Sequence, residues 1–372
     1  MKHHVEYRDP EVAARVIDRI HQTVDPSRHY RFMEFCGGHT HAISRFGLHG
    51  LLPQNVQMIH GPGCPVCVLP IGRLDMAIAM AMQPGVILCC YGDTLRVPGS
   101  DGNSLQKARA DGADVRMVYS ASEVLTIAEQ CPSQDVVFFA IGFETTTPPT
   151  AHLLLEIRRR GLTRVSVLCN HVLTPPAIRS ILEDSTEGPG LDGLVGPAHV
   201  SVVIGSAPYC PIAESYKMPI VIAGFEPLDV LQAILMLIRQ VNDGRHTVEN
   251  EYTRAVVPGG NLRALDAMQE TFDIRDSFEW RGLGSIPASG LRLSKSYADL
   301  DAERRYSMEY QTVADHKACE CAAVLRGQRE PKDCKVFGTA CTPETPLGAC
   351  MVSSEGACAA YFTYGRNLRT SG

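Results

Sequence analysis

A thiol and two imidazoles fall close together at positions 36–41, which read CGGHTH. Two glycines follow Cys36 and allow positive φ and close backbone approach at the end of a predicted strand. A thiol in such a turn lies among free backbone N–H groups, which stabilise its thiolate. The alternative is a small buried cysteine that only fills space. Because His39 and His41 are costly in an inert core, the pattern favours a reactive Cys36.

A C-x-x-C motif places Cys64 and Cys67 within residues 61–67, which read GPGCPVC. Where such a motif follows a strand and opens a helix, the first thiol has a depressed pKa and the second closes a disulfide with it. Alternatively the pair is half of a zinc site, which needs two further soft ligands and has Cys36 to draw on. The spacing favours dithiol redox chemistry, and a transient metal contact is compatible with both interpretations.

Six of the 14 cysteines lie between positions 319 and 358. Structural zinc sites normally show paired C-x2–4-C knuckles, which this segment lacks. Four thiolates spread over a loop-rich segment suit an iron–sulfur cluster better. Spacing alone leaves the ligand set open, because six candidates exist for four places: Cys319, Cys321, Cys334, Cys341, Cys350 and Cys358.

The composition argues against nucleic acid and membranes as partners. The 372 residues carry 35 Lys and Arg against 41 Asp and Glu, so the chain has no basic surplus. Its apolar runs are shorter than the ~18 residues that a membrane span needs. Residues 1–30 open with Lys2, His3 and His4, continue in a helical pattern and contain no apolar signal segment, which predicts a cytoplasmic protein. In a reducing cytosol, cysteines are more often ligands or redox groups than structural disulfides.

Short aliphatic runs that alternate with helix-length segments must position these side chains, and they predict parallel βαβ units. The runs are Arg31–Phe35, Val56–His60, Val86–Tyr91, Val115–Tyr119, Val136–Ile141, Val165–Cys169, Gly193–Val195 and Ile220–Ala223. Their spacing predicts two sheets of about four strands, with a boundary at 120–133. We therefore predict an α/β protein with two Rossmann-like domains around a cleft, followed by a third domain rich in loops and helices. The predicted units are a helical segment at 1–30, a first α/β domain at 31–120, a second α/β domain at 121–225 and a C-terminal domain at 242–372. Residues 220–241 are a candidate segment to complete the first α/β domain.

Nearly every predicted strand is followed by a reactive or ligating side chain. In an open parallel sheet, ligands bind beyond the carboxyl ends of the strands. A polar residue at that place often only caps the next helix. The set as a whole predicts a polar cleft between the sheets, lined by Cys36, His39, His60, Cys64, Asp93, Glu144, Asn170, His171, His199 and Glu226.

Six motifs, spread from about Phe32 to Tyr361, are similar to those of the hydrogenase maturation factor HypD family. They are CGGHTH at 36–41, GPGCPVC at 61–67, GFETT at 142–146, HVSVVIG at 199–205, GFEPLD at 224–229 and SSEGAC at 353–358. The resemblance implies a scaffold on which the Fe(CN)2CO group of [NiFe] hydrogenases is assembled. It also implies two partners, the small chaperone HypC and, transiently, the cyanide-delivering protein HypE.

The resemblance also implies roles for particular residues. Cys36 is expected to hold the iron together with a cysteine of HypC, and Cys64 and Cys67 correspond to a redox-active pair that contacts the metal. His39 and Glu355 match polar positions expected to be essential. His39 is a candidate to accept the proton of Cys36 or to hydrogen-bond a cyanide nitrogen.

By the same resemblance, the C-terminal domain carries a [4Fe–4S] cluster with the ligands Cys321, Cys334, Cys341 and Cys358. Cys319 and Cys350 lie outside that pattern and leave a ligand swap open. The three cysteine groups together suggest a relay in which Cys64 and Cys67 pass two electrons by thiol–disulfide exchange. The resemblance therefore implies that the protein is a redox-active assembly scaffold rather than a conventional turnover enzyme.

Two other classes of function fit parts of the pattern. An iron–sulfur-linked thiol–disulfide oxidoreductase uses the same C-x-x-C motif and cluster, but it does not need Cys36 with two histidines. A purely structural metal-stapled binding module needs no reactive thiol. The chain lacks a Walker A string, and it lacks a Gly-x-Gly-x-x-Gly fingerprint after the first strand, which argues against nucleotide cofactors.

Overall fold

The computed structural model describes residues 6–184 and 190–365. The polar start of the chain at 1–5 and the last seven residues of the predicted C-terminal domain lie outside the described residues. The strands are β1 (Tyr30–Glu34), β2 (Val56–His60), β3 (Val86–Cys90), β4 (Asp114–Met117), β5 (Asp135–Gly142), β6 (Val165–His171), β7 (Gly193–Pro197), β8 (Ile220–Ala223), β9 (Val248–Asn250), β10 (Phe272–Ile274), β11 (Ser277–Trp280), β12 (Gly284–Pro287) and β13 (Leu291–Leu293).

The α-helices are α1 (Pro10–Thr23), α2 (Gly37–Arg45), α3 (Ile71–Ala81), α4 (Leu105–Ala110), α5 (Glu123–Gln130), α6 (Thr147–Arg160), α7 (Thr174–Asp184), α8 (Ala198–Ile204), α9 (Cys210–Ser215), α10 (Pro227–Asn242), α11 (Leu262–Thr271), α12 (Ala302–Arg305), α13 (Cys321–Leu325) and α14 (Ala357–Tyr364). Short 3-10 turns lie at Leu48–Gly50, Gly92–Arg96, Ser100–Gly102, Ala207–Tyr209, Lys295–Leu300, Pro331–Asp333 and Ala349–Met351. None of the helices within the described residues is both long and apolar enough to cross a lipid bilayer.

The protein is an α/β structure built on two Rossmann-like parallel sheets. The first has the strand order β2-β1-β7-β8-β9 and the second β4-β3-β5-β6. Strand β5 illustrates why the sequence forms such sheets, because seven of its eight residues are buried in one continuous apolar run. Each of the eight predicted strands forms, with ends shifted by at most two residues.

The strand pairing differs from the predicted succession of two sheets. Strands β3 and β4 pair with β5 and β6, whereas β1 and β2 join β7 and β8, so no boundary at 120–133 separates the sheets. The second sheet is an insertion between β2 and β7. The reason is a long-range pairing of Phe32 with Gly193, where the missing side chain of Gly193 leaves room for the Phe32 and Leu237 side chains. Local hydrophobic patterns do not encode such a pairing.

The chain beyond α10 wraps around both sheets. Two small antiparallel pairs, β10 with β13 and β11 with β12, carry Trp280, which is fully buried and lies 5.8 Å from the Phe143 ring. The cysteine-rich segment that follows has little regular structure. It touches the first sheet where Gly327 packs on Ile59 of β2 and Met33 of β1.

Candidate functional site

Cys36 occupies the turn between β1 and α2. It is fully buried and caps α2, because its Sγ accepts a hydrogen bond of 3.3 Å from the N–H of Gly38. The loop before the C-x-x-C motif packs directly on this turn, since any Cβ at Gly63 would overlap the Cys36 backbone. The geometry therefore places the thiol at a helix N-terminus and against the loop of the C-x-x-C motif.

His199 is the base closest to the thiol among the described residues. Its Nε2 lies 3.3 Å from Cys36 Sγ, at the start of α8, which follows the strand next to β1. Burial raises the pKa of the Cys36 thiol, and the nearby carboxyls of Glu355 and Glu34 raise it further. Burial also lowers the pKa of His199 to about 4. The pair therefore rests as a neutral thiol beside a neutral imidazole, and both shifts oppose proton transfer unless a positive charge at the sulfur stabilises the thiolate.

Phe225 lies between two histidines of the site. Its ring stacks on His199 with centroids 4.9 Å apart and meets the His39 ring at 4.8 Å. His39 Nε2 donates to the carbonyl groups of Ala223 and Gly224, at 2.9 and 3.0 Å. Because Nε2 carries the proton, Nδ1 is an acceptor, and among the described residues this buried atom has no partner.

A buried carboxyl lies beneath the Cys36 turn. Glu34 is 0% exposed, and its carboxyl accepts from the N–H of Cys36 at 2.9 Å and from the hydroxyl of Thr40. It also lies 3.0 Å from His60 Nδ1. Burial raises the pKa of Glu34, although these hydrogen bonds oppose the shift. The site thus contains an acid that holds the cysteine backbone in place.

Glu355 reaches the same turn from the cysteine-rich segment. A Cβ at Gly37 would lie 2.7 Å from the Glu355 carbonyl oxygen and 3.0 Å from its Oε2, so only glycine admits this approach. Burial raises the pKa of Glu355, and the charges of Asp93 and Glu34 add to the shift. Ser353 donates to Asp93 at 3.0 Å. The structure therefore brings the predicted Glu355 and Asp93 to the Cys36 turn.

Cys64 and Cys67 are joined by a disulfide, with their Cα atoms 5.2 Å apart. The N–H of Cys67 also donates to Cys64 Sγ at 3.2 Å. The two cysteines are only 3% and 1% exposed. The two cysteines therefore form a disulfide in a position closed to bulky reagents.

The C-terminal thiols gather around Cys321. Hydrogen bonds from Cys319, Cys350 and Cys358 lower the pKa of the Cys321 thiol. Gly348 makes room for the group, because its Cβ would lie 2.7 Å from Cys321 Sγ and would overlap Cys319 Sγ. Cys319 and Cys350, which the sequence pattern leaves out, are thus in contact with a predicted ligand.

Of the two other predicted ligands, Cys341 lies near this group, because its charge helps to raise the pKa of the Cys358 thiol. Cys341 is buried, and its thiol accepts from the N–H of Leu347 at 3.4 Å, while Cys334 begins the turn whose end is Cys341. Within residues 6–184 and 190–365, no three His, Cys, Asp or Glu side chains have the geometry of a metal site. The donors are nevertheless thiols alone in largely buried surroundings, and this chemistry fits an iron–sulfur cluster.

Several predicted strand-end residues have structural roles instead. Asn170 accepts from the Arg73 guanidinium at 2.6 Å and so joins α3 to the second sheet. His171 Nε2 contacts the Thr150 hydroxyl at 2.9 Å. Glu144 accepts two hydrogen bonds of 2.8 Å from Thr174, and burial raises its pKa to about 7.

Glu226 pairs with Arg8 and caps the N-terminus of α10. The sequence predicted His199 as a residue of the cleft but not its contact with Cys36, and it did not predict Glu34 or Phe225 as part of the site. A signal existed for Glu34, which is an acid inside an otherwise apolar strand, and for His199, which follows a buried strand. Phe225 carried no signal of its own.

Comparisons with known proteins cover nearly the whole chain. A protein-family profile described as "HypD: Hydrogenase formation hypA family" matches residues 11–365. The chain is 60% identical to hydrogenase maturation factor HypD2 of Bradyrhizobium diazoefficiens over 370 residues, which is 98% of this chain and 97% of the relative. It is 59% identical to HypD of Azotobacter vinelandii, over 98% and 97% of the two chains. The identity to HypD of Escherichia coli is 46%, over 96% and 97%.

Proposed function

The chain belongs to the HypD family of hydrogenase maturation factors, and from that premise we propose that it is the scaffold on which the Fe(CN)2CO group of [NiFe] hydrogenases is assembled. In this proposal Cys36 holds the iron. A HypC-type chaperone supplies a second thiolate, and a HypE-type protein delivers cyanide. The observation that carries the proposal is the buried Cys36 thiol, which faces His199 at 3.3 Å in a preformed turn.

The chemistry of Cys36 suits a soft metal centre. Iron that carries cyanide and carbonyl is strongly back-bonding, and thiolate is the fitting protein ligand for it. A thiol must lose its proton to ligate a metal. His199 is in position to accept that proton, because its imidazole is neutral and in hydrogen-bond range. Two backbone N–H groups, of Gly38 and His39, then support the negative sulfur.

The remaining polar groups shape the space around the sulfur. His39 offers an acceptor at Nδ1, which suits a proton-bearing group rather than a cyanide nitrogen. Glu34 fixes the Cys36 backbone, and Glu355 closes the turn from the opposite side. These residues bind and orient the cargo and exclude water from it, and none of them needs to move for the thiol to be reached by His199.

Electrons for the assembly require the reduced form of the Cys64–Cys67 pair. The disulfide takes up two electrons and two protons to become a dithiol, which then has two electrons to give to chemistry at the adjacent Cys36 turn. The cysteine-rich segment would hold a [4Fe–4S] cluster through Cys321, Cys334, Cys341 and Cys358, with Cys319 and Cys350 as competing ligands. When bound, such a cluster supplies single electrons.

A general thiol–disulfide oxidoreductase is less well supported. Such an enzyme presents its disulfide to protein substrates, whereas both half-cystines here are nearly fully buried. Cys36 and His199 also have no task in that reaction. The two functions separate in a turnover assay with a small disulfide, which we expect to show no activity that exceeds that of a Cys64→Ala variant.

The scaffold is tested by infrared spectroscopy. The full-length protein is purified anaerobically in complex with the HypC-type chaperone and examined in the cyanide and carbonyl stretching region. We expect cyanide and carbonyl bands in the wild type and in a Cys210→Ala control, because Cys210 is an exposed cysteine of α9. The same bands should be absent in Cys36→Ala. Bands that persist in Cys36→Ala, or that never form in the reconstituted wild type, would overturn the proposal.

A further inference from the structure

A short segment between β8 and α10 contacts both histidines of the Cys36 site. It consists of residues 223–225, and we call it the Gly224 turn. Its first two carbonyl groups accept hydrogen bonds from His39 Nε2, at 2.9 and 3.0 Å. Its aromatic residue stacks on the His199 ring with centroids 4.9 Å apart. The place of this turn therefore bears on the place of both imidazoles.

Phe225 also packs on the backbone that supports the thiol. A Cβ at Gly38 would lie 2.8 Å from the Phe225 ring, so the ring rests directly on the first turn of α2. The N–H of Gly38 is the group that donates to Cys36 Sγ. One ring thus contacts three groups around the sulfur, namely a backbone donor and two imidazoles.

Asp229 and Glu251, which we call the acid pair, hold the Gly224 turn. The N–H of Gly224 donates to Glu251 Oε2 at 3.4 Å. The N–H of Glu251 donates to the Ile222 carbonyl at 2.9 Å, which fixes the chain after β9 beside the end of β8. A Cβ at Gly224 would overlap Asp229 Oδ2 and lie 2.5 Å from the Tyr252 ring, so only glycine fits between them.

Asp229 is the charged member of the acid pair. It is fully buried, and its Oδ2 accepts from Arg254 Nη2 at 2.5 Å and from the N–H of Glu226 at 3.2 Å. The Arg254 guanidinium in turn lies over the rings of Tyr7 and Tyr252, 3.9 and 4.0 Å from their centroids. Aromatic faces stabilise a cation in this arrangement. A fixed positive charge therefore keeps Asp229 ionised in its buried position.

Glu251 is the neutral member of the acid pair. Burial raises the pKa of Glu251 to about 8, and the charge of Asp229 adds to the shift. A hydrogen bond between the two side chains acts in the same direction, as expected when the protonated carboxyl is the donor. At neutral pH Glu251 is thus able to donate to Asp229 and to accept from the N–H of Gly224 at the same time.

We propose that Glu251, together with Asp229, is a positioning residue for the Cys36 thiol. It acts by holding the Gly224 turn in the place where the Phe225 ring supports the groups around the sulfur. This inference rests on the proposed function, because the site that is positioned in this way is the one proposed to receive the iron.

The placement is tested without iron, by nuclear magnetic resonance of the full-length protein with isotope-labelled histidine rings. His39→Gln and His199→Gln variants assign the two signals of the site. We expect Glu251→Ala to shift both signals. Glu251→Gln should leave them at their wild-type positions, because the glutamine amide still donates to Asp229 and its carbonyl still accepts.

Two comparisons separate this role from a general loss of structure. Glu249→Ala is the matched control, because Glu249 lies two residues earlier and pairs with Arg245 at 2.7 Å. The signal of His171, which contacts Thr150 in the second sheet, should stay in place in every variant. If Glu251→Ala does not fold, Glu251→Asp replaces it, since the shorter acid should also shift both signals of the site.

Iron loading of the complex with the HypC-type chaperone then measures the consequence. It should fall about tenfold in Glu251→Ala and stay at the wild-type level in Glu251→Gln. Unchanged histidine signals in both Glu251→Ala and Glu251→Asp, or equal shifts in Glu251→Gln and Glu251→Ala, would overturn the proposal. A wild type that loads no iron would overturn the proposed function instead, whereas the histidine signals of the metal-free protein would still decide the role of Glu251.

Discussion

The Cys36 turn and the cysteine-rich segment hold their thiols in different ways. Cys36 lies between β1 and α2, where its neighbours are Gly38, Glu34 and His199, all fixed by regular elements. The thiols near Cys321 come from short helical pieces joined by loops, and they have mainly each other as partners. The first thiol is therefore positioned by the fold, whereas the order of the second group depends on what its thiols bind.

The largest effect should come from removing a ligand of the second group. If the proposed cluster is bound there, Cys358→Ala or anaerobic chelation of iron should release the cysteine-rich segment, because the free energy of metal binding would then contribute to folding. Hydrogen exchange should then rise in residues 319–358 and stay unchanged in β1 and β7. Cys350→Ala is the matched control and should retain the cluster absorbance. Equal loss in both cysteine variants would show that Cys350 is itself a ligand.

A smaller effect is expected at the base beside Cys36. His199→Ala should lower iron loading on the scaffold by roughly 10–100-fold, the range typical of residues that support a metal ligand. The fold should persist, because α8 keeps its other contacts. Iron content and the midpoint of thermal unfolding measure the two effects separately. Normal iron loading in His199→Ala would show that His199 does not support metal binding by Cys36.

The contact between the two regions is tested at Gly37. A Cβ there meets the Glu355 backbone, so Gly37→Ala should cost about 1–3 kcal/mol and separate the segment from the turn. Gly259→Ala is the control, because nothing lies within 4 Å of a Cβ at that position. Denaturant unfolding gives the free energies. Equal stability of the two variants would mean that the segment does not dock on the Cys36 turn.

The smallest effect concerns pH. The pKa of His199 is about 4 when folded, below the 6.5 of a free imidazole, so the unfolded chain binds the proton first. Stability from this residue is complete above pH 6.5 and is lost as pH falls towards 4. Between pH 7 and 5.5, protonation of His199 in the unfolded chain should lower the free energy of unfolding of the wild type by about 1 kcal/mol. His199→Gln lacks this group, so we expect its free energy of unfolding to fall by that much less over the same range. An unchanged pH profile would indicate that His199 is not buried as a neutral base.

The sequence predicted individual strands well, because their burial appears as local apolar runs. It did not predict which strands share a sheet, because the pairing of β1 with β7 joins residues 32 and 193, which are far apart in the sequence. For the same reason the sequence singled out Cys36 and Cys64 as candidates but did not predict the contact of His199 with the Cys36 thiol. A local pattern identifies a reactive residue, whereas its partner arrives from a distant strand.

The cysteine-rich segment resists prediction for a different reason. Spacing identifies ligands where a hairpin or helix fixes the geometry between them, as in a zinc knuckle. Here Cys319, Cys321 and Cys350 approach one another through loops, so sequence separation says little about distance. The number of candidate thiols in this segment was predictable from the sequence, whereas their grouping around Cys321 was not.

The central claim is that the iron cargo and the cluster occupy separate sites, with Cys36 holding the cargo. It is tested most directly by Mössbauer spectroscopy of iron-enriched, anaerobically loaded wild type and Cys36→Ala in complex with the chaperone. The account predicts that Cys36→Ala loses the low-spin iron signal of the cargo and retains the cluster signal at wild-type intensity. A cargo signal that survives in Cys36→Ala, or a cluster signal lost together with it, would contradict the claim.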